Sequence, residues 1–135
     1  KTNAAKDFIN NSDEAIANLE KFINWFVKTL NKDNNFQKLL QSVLLDNNPD
    51  RMQNLVKDVF SDLFLTTREI VESFSPRYDR QMLSISIIGL VLYHFQSEEG
   101  RKLLPGRKAQ HDKPQVISKH IISLLKSGAR PMIFR

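Results

Sequence analysis

Apolar residues recur at intervals of three and four along nearly the whole chain, and no stretch of useful length alternates apolar with polar. A spacing near 3.6 gathers side chains on one face of an α-helix, whereas a half-buried strand needs a period of two. This regularity predicts an all-α fold. The 135 residues are enough for one domain with a sizeable core, so residues 1–135 are expected to form a single antiparallel bundle of five to six helices.

The helices can be placed from their stripes and stop signals. Between Asp13 and Asn31 the apolar positions are Ile16, Leu19, Phe22, Ile23, Phe26, Val27 and Leu30. Asn11 and Glu14 are spaced for a capping box at the start, and Thr2 to Ile9 reads as the end of an earlier helix. Phe36, Leu39, Leu40, Val43 and Leu44 mark a shorter helix that ends at Asp46-Asn47-Asn48. Pro49 suits a first helical position with Asn48 as cap. From there to Phe74 the stripe is unbroken, which predicts one helix roughly 37 Å long, crossing the whole bundle. Ser75-Pro76 stops it.

The next helix, Arg77 to Ser97, differs in kind: no polar face separates Met82 from Phe95. A helix apolar all round is buried all round. Its small residues Ser86 and Gly89 would let another helix approach closely. A charged stretch runs from Glu98 to Lys113, with a short helix up to Leu104. The last helix runs from Pro114 to Gly128, and Val116, Ile117, Ile121, Ile122, Leu124 and Leu125 form a broad apolar arc on it. Met82–Phe95 is too short to span a membrane.

Composition narrows the function classes. There is no Cys, which excludes a disulfide scaffold, a Cys nucleophile and any thiolate metal site. With no signal-peptide pattern at Lys1–Asn11, a cytoplasmic location is expected. Lys rather than Met at position 1 points to sequence removed upstream. The net charge of +5 is uneven. Residues 1–76 hold nine Lys/Arg against eleven Asp/Glu, and residues 77–135 hold eleven against four. The basic cluster Arg101, Lys102, Arg107, Lys108 and Lys113 lacks the interleaved aromatics of a single-strand binding surface and reads as a solvated loop.

No HExxH, P-loop, GxGxxG or GxSxG is present, so neither an enzyme nor a cofactor site is expected. His94 and Glu98 have the spacing of a metal pair, but two ligands do not make a site. Glu98 and Glu99 diverge by about 100° on a helix and cannot converge on one substrate. The aromatics say more. Phe22, Trp25 and Phe26 share one helix, Phe60 and Phe64 a second, and Tyr93 and Phe95 a third. Core packing is the expected role of most of them, although large rings with a few polar groups are also the usual lining of a small-molecule cavity.

Three stretches carry a family resemblance. "FQKLLQSVLLDNNPDRMQNLVKDVFSDLFLTTREIVESF", "DRQMLSISIIGLVLYHFQSEEGRKLLPG" and "VISKHIISLLKSGARP" resemble, in order and texture, the C-terminal effector-binding and dimerisation domain of TetR-family transcriptional regulators. "DEAIANLEKFINWFVKTL" fits the first helix of that domain. The resemblance implies a homodimer in which a small effector shifts the bundle between two arrangements. It also implies that DNA is bound only through an N-terminal helix-turn-helix domain, which this chain lacks.

The expected effector site is an apolar cavity lined by Phe22, Trp25, Phe26, Phe60, Phe64 and Thr67, with Tyr93 or His94 at its polar end. No fixed charge lies among these residues, so a neutral organic molecule is expected. The expected two-fold interface pairs the last two long helices through Ser86, Gly89, Val116, His120, Ile121 and Leu124. The alternative is a helical protein–protein interaction module without a ligand.

Overall fold

The structure is a computed structural model that describes residues 15–55, 57, 60–74 and 78–128. Among them every regular element is helical. In chain order these are α1 (Ala15–Lys32), α2 (Asn34–Leu45), α3 (Pro49–Leu55), α4 (Ser61–Phe74), α5 (Arg80–Gln96), the single turn α6 (Glu98–Arg101), a 3-10 turn (Ala109–Asp112) and α7 (Pro114–Gly128). The segment Thr2–Ile9 and the capping box at Asn11 and Glu14 lie outside the described residues, as do Ser75-Pro76.

The centre of the bundle is α1. Leu19, Phe22, Ile23, Phe26, Val27 and Leu30 are all wholly buried, and burying each such side chain contributes about 1.5–3 kcal/mol. α7 packs along one side of this stripe, and α4 and α5 lie against α1 as well as against each other. The direction of α7 is fixed at its C-terminal end by two contacts. Lys126 pairs with Glu20 near the start of α1 (3.1 Å), and the Tyr78 hydroxyl just ahead of α5 donates to the Gly128 carbonyl (3.0 Å). α7 therefore runs antiparallel to α1 and α5.

Local chemistry sets the helix starts. The Asp33 carboxylate accepts from the Phe36 amide (3.0 Å), the Asn48 side chain from the Arg51 amide (3.0 Å), and the Asp79 carboxylate from the Met82 amide (2.9 Å). Each satisfies a donor that has no partner within its own helix. Asp79 begins α5 at Arg80, three residues later than the stripe suggested.

The segment expected as one long helix from Asp50 to Phe74 is helical at every described residue, but it is not α-helical throughout. α3 ends at Leu55 and α4 starts at Ser61, with Lys57 and Phe60 in π-helical turns between them. A π-turn inserts one extra residue per turn and rotates the helix on its C-terminal side relative to the helix on its N-terminal side. The even stripe in the sequence cannot register that rotation. α3 itself is largely exposed and contributes little to the core, so the helix that organises the bundle is α1. The short α6 is among the six helices expected, so it is the division of this segment into α3 and α4 that brings the α-helices among the described residues to seven.

Candidate functional site

The aromatic residues expected to line a cavity do gather into clusters. Phe22, Trp25 and Phe26 form a triangle on α1 with ring centroids 5.9–6.2 Å apart, and Phe60 lies 6.2 Å from Phe64. These are stacking distances. Phe22 and Phe26 are fully buried, whereas Trp25, Phe60 and Phe64 are half-buried at the margin of the core. Thr67 is buried, and its hydroxyl donates to the Leu63 carbonyl one turn back (2.7 Å), so that proton is used within α4. Tyr93 is not at the polar end of an interior cavity. It is 66% exposed on the outer face of α5.

That outer face is the second feature. Met82 is 72% exposed, Ile85 is exposed, and Ser86 and Gly89 lie open between them and Tyr93. A Cβ built on Gly89 would meet nothing within 4 Å. α5 is thus buried on one side only, through Ser84, Ile87, Ile88, Val91, Leu92 and Phe95. Ser84 is tolerated there because its hydroxyl donates to the Arg80 carbonyl (2.6 Å). On the neighbouring α7, Val116, His120 and Leu124 are also exposed. Ile121 is different: it is wholly buried in its own chain's core and cannot contribute to an interface. The apolar arc of α7 spreads over a buried and an exposed side of the helix, and Ile121 is on the buried one.

A groove of about 490 Å³ opens where the exit loop of α5 folds back against α7. His94, His111 and His120 line it together with Arg101 and Arg107 and the apolar residues Leu104, Pro105, Val116 and Ile117. The His94 and His120 rings meet edge to face, 6.0 Å between centroids. Partial burial, then Arg101 and His120, hold the His94 imidazole below its usual pKa and favour its neutral form. Arg101 anchors the loop by donating to Asp112 (3.0 Å), the His94 carbonyl (2.6 Å) and the Ser97 hydroxyl (3.2 Å). Arg107 takes the other Asp112 oxygen (2.8 Å). With Arg107 and Arg101 on its two oxygens, Asp112 is held below the usual carboxylate range.

A larger groove of about 1070 Å³ runs between α1 and α7. Its walls are polar: Asn24, Asn31, Ser118, Ser123 and Ser127, with Lys28, Lys32, Lys119 and Lys126 along the rim. Among the described residues no three His, Asp or Glu side chains converge as metal ligands, and no helix is long and apolar enough to cross a membrane.

Sequence reasoning placed His94 and His120 in separate roles and missed Arg101, Arg107, His111 and Asp112 as parts of one site. Their spacing has no period, and only the fold-back of the loop brings them together. No protein family, curated protein or solved structure matches this chain.

Proposed function

We propose that this chain is the dimerisation and effector-binding domain of a TetR-like transcriptional regulator. The observation that carries the proposal is the uncovered apolar face of α5 and α7: Met82, Ile85, Gly89 and Tyr93 on one helix, Val116 and Leu124 on the other. Exposed large apolar side chains that gather into a patch mark an interaction surface. The last two long helices are the pair whose excess apolar surface predicts the interface, and a two-fold axis would make the patch cover itself. The half-buried rings of Trp25, Phe60 and Phe64 support an effector site at the margin of the core, where a neutral organic molecule could insert. Helical order and sequence texture supply the link to transcriptional regulation, with DNA bound by a domain outside this chain.

The test is sedimentation of the chain and of Gly89→Arg, combined with Trp25 fluorescence across a panel of neutral hydrophobic compounds. Because a side chain at Gly89 meets nothing within its own chain, Gly89→Arg should keep the helical fold and yield monomers. An effector should change the Trp25 emission. A chain that sediments as a monomer from the outset removes the dimer. A dimer with no fluorescence response to any compound leaves the second reading, an interaction module without a ligand.

A further inference from the structure

The groove at the end of the α5–α7 seam lies apart from the aromatic cluster, and its chemistry is different. We infer that it binds a small organic monocarboxylate that carries an apolar tail.

Charge comes first. Arg101 and Arg107 bring two fixed positive charges to the groove, and Asp112 neutralises one of them through a shared carboxylate. Among the described residues no acidic side chain lines the groove itself. One uncompensated guanidinium charge remains, which a monoanion matches and a doubly charged phosphate exceeds. Arg107 uses one terminal nitrogen on Asp112, so its fork keeps donors for a carboxylate.

The histidines add donors. The Lys108 backbone N–H donates to Nδ1 of His111 (3.2 Å). The neutral His111 ring therefore carries its proton on Nε2 and can donate from there. His94 and His120 line the same groove with their rings edge to face. The groups acting on His94 are Arg101 from α6 and His120 from α7; His111 and Arg107 line the same groove, and Asp112 is bound to Arg101. A bound carboxylate would offset the repulsion that these cations impose on a protonated His94.

Shape supplies the tail. Leu104, Pro105, Val116 and Ile117 add apolar surface to the same groove, and the volume falls within the range of small-ligand sites. The Arg101–Asp112–Arg107 bridge holds the loop in place before any ligand arrives, so little ordering cost is incurred on binding. The groove borders the proposed dimer face at Val116 and His120 but uses none of the Met82–Gly89 face, and the inference does not rest on the regulator reading.

The experiment titrates the full chain with sodium octanoate, octylamine and inorganic phosphate, following the histidine ring resonances by NMR and binding by calorimetry. Octanoate should bind and shift the His94, His111 and His120 signals. Arg107→Gln and His120→Gln should each weaken octanoate by roughly tenfold, the loss expected for a charge-assisted contact. His120 is exposed, so His120→Gln should keep the helical circular dichroism even if Arg107→Gln disturbs the loop. The inference is overturned if octylamine or phosphate binds as well as octanoate, or if His120→Gln binds octanoate unchanged. Sedimentation of the same samples reads dimerisation separately, so failure of the groove and failure of the dimer give different results.

Discussion

Arg101 and Asp112 are bound across eleven residues of loop, Nη1 to Oδ1 at 3.0 Å, and that contact determines where the chain goes between α5 and α7. The same guanidinium donates to the backbone carbonyl of His94, so one side chain ties the end of α5 to the start of α7. The pair is only about one-fifth exposed on either side. A basic stretch that reads as solvated loop in the sequence is in fact pinned at both ends.

Arg101→Met should therefore loosen the loop. The substitution leaves the His94 carbonyl and the Ser97 hydroxyl without their donor and should cost about 1–3 kcal/mol, the range for a hydrogen bond to a charged group. Urea denaturation checks the magnitude. Hydrogen exchange should show the loss of protection confined to residues 97–113 and the start of α7, with α1 unchanged.

Acid sensitivity should have two separable parts. Asp112 has a folded pKa below its ordinary 3.8, so the stability it contributes is fully present above that value and is lost as pH falls through the folded pKa. His94 is depressed below 6.5. Its neutral form is favoured in the fold, and stability should decline as pH falls from 6.5 towards the folded value. Thermal unfolding between neutral and acid pH should show both declines. His94→Gln should remove the upper one and Asp112→Asn the lower.

Ile121 and Leu124 lie one turn apart on α7 yet should behave differently. Ile121 is wholly buried, so Ile121→Ala should cost about 2–5 kcal/mol through lost transfer energy and a cavity. Leu124 is 47% exposed. Leu124→Ala should barely change unfolding of a dilute monomer and should weaken self-association instead. Denaturation midpoints at several protein concentrations distinguish the two outcomes.

Phe26 is one of the two fully buried corners of the ring triangle with Phe22 and Trp25. Phe26→Ala should cost about 3–5 kcal/mol and shift Trp25 emission, because it removes a ring centred 6.2 Å from the indole. Unchanged emission in a folded variant would show that the triangle does not define the Trp25 environment.

Within this chain, much of what depends on neighbours along the sequence is legible in it, although the Asp79 start of α5 is not. The stripe Leu19–Leu30 identified α1 and its buried face, because helical period and burial are both set by residues three and four apart. Asn48 could be recognised as a cap before Pro49 for the same reason. The broad arcs of α5 and α7 revealed more apolar surface than one bundle covers. They did not reveal which residues face in. Ile121 is wholly buried and Leu124 is not, and that division depends on where α1 lies against α7, which no local spacing encodes.

The π-turns at Lys57 and Phe60 escaped detection because an even apolar stripe is compatible with either helix geometry, and tertiary packing selects between them. The histidine–arginine groove escaped for a different reason. His94, Arg101, Arg107, His111 and His120 have no shared period and come together only when the loop folds back. Sequence alone determined that the chain is helical and which helices carry excess apolar surface, since those properties arise from local backbone geometry and the side chains on it. Tertiary structure alone decided which of that surface stays uncovered and where the charges converge, because both depend on contacts between residues far apart in the chain.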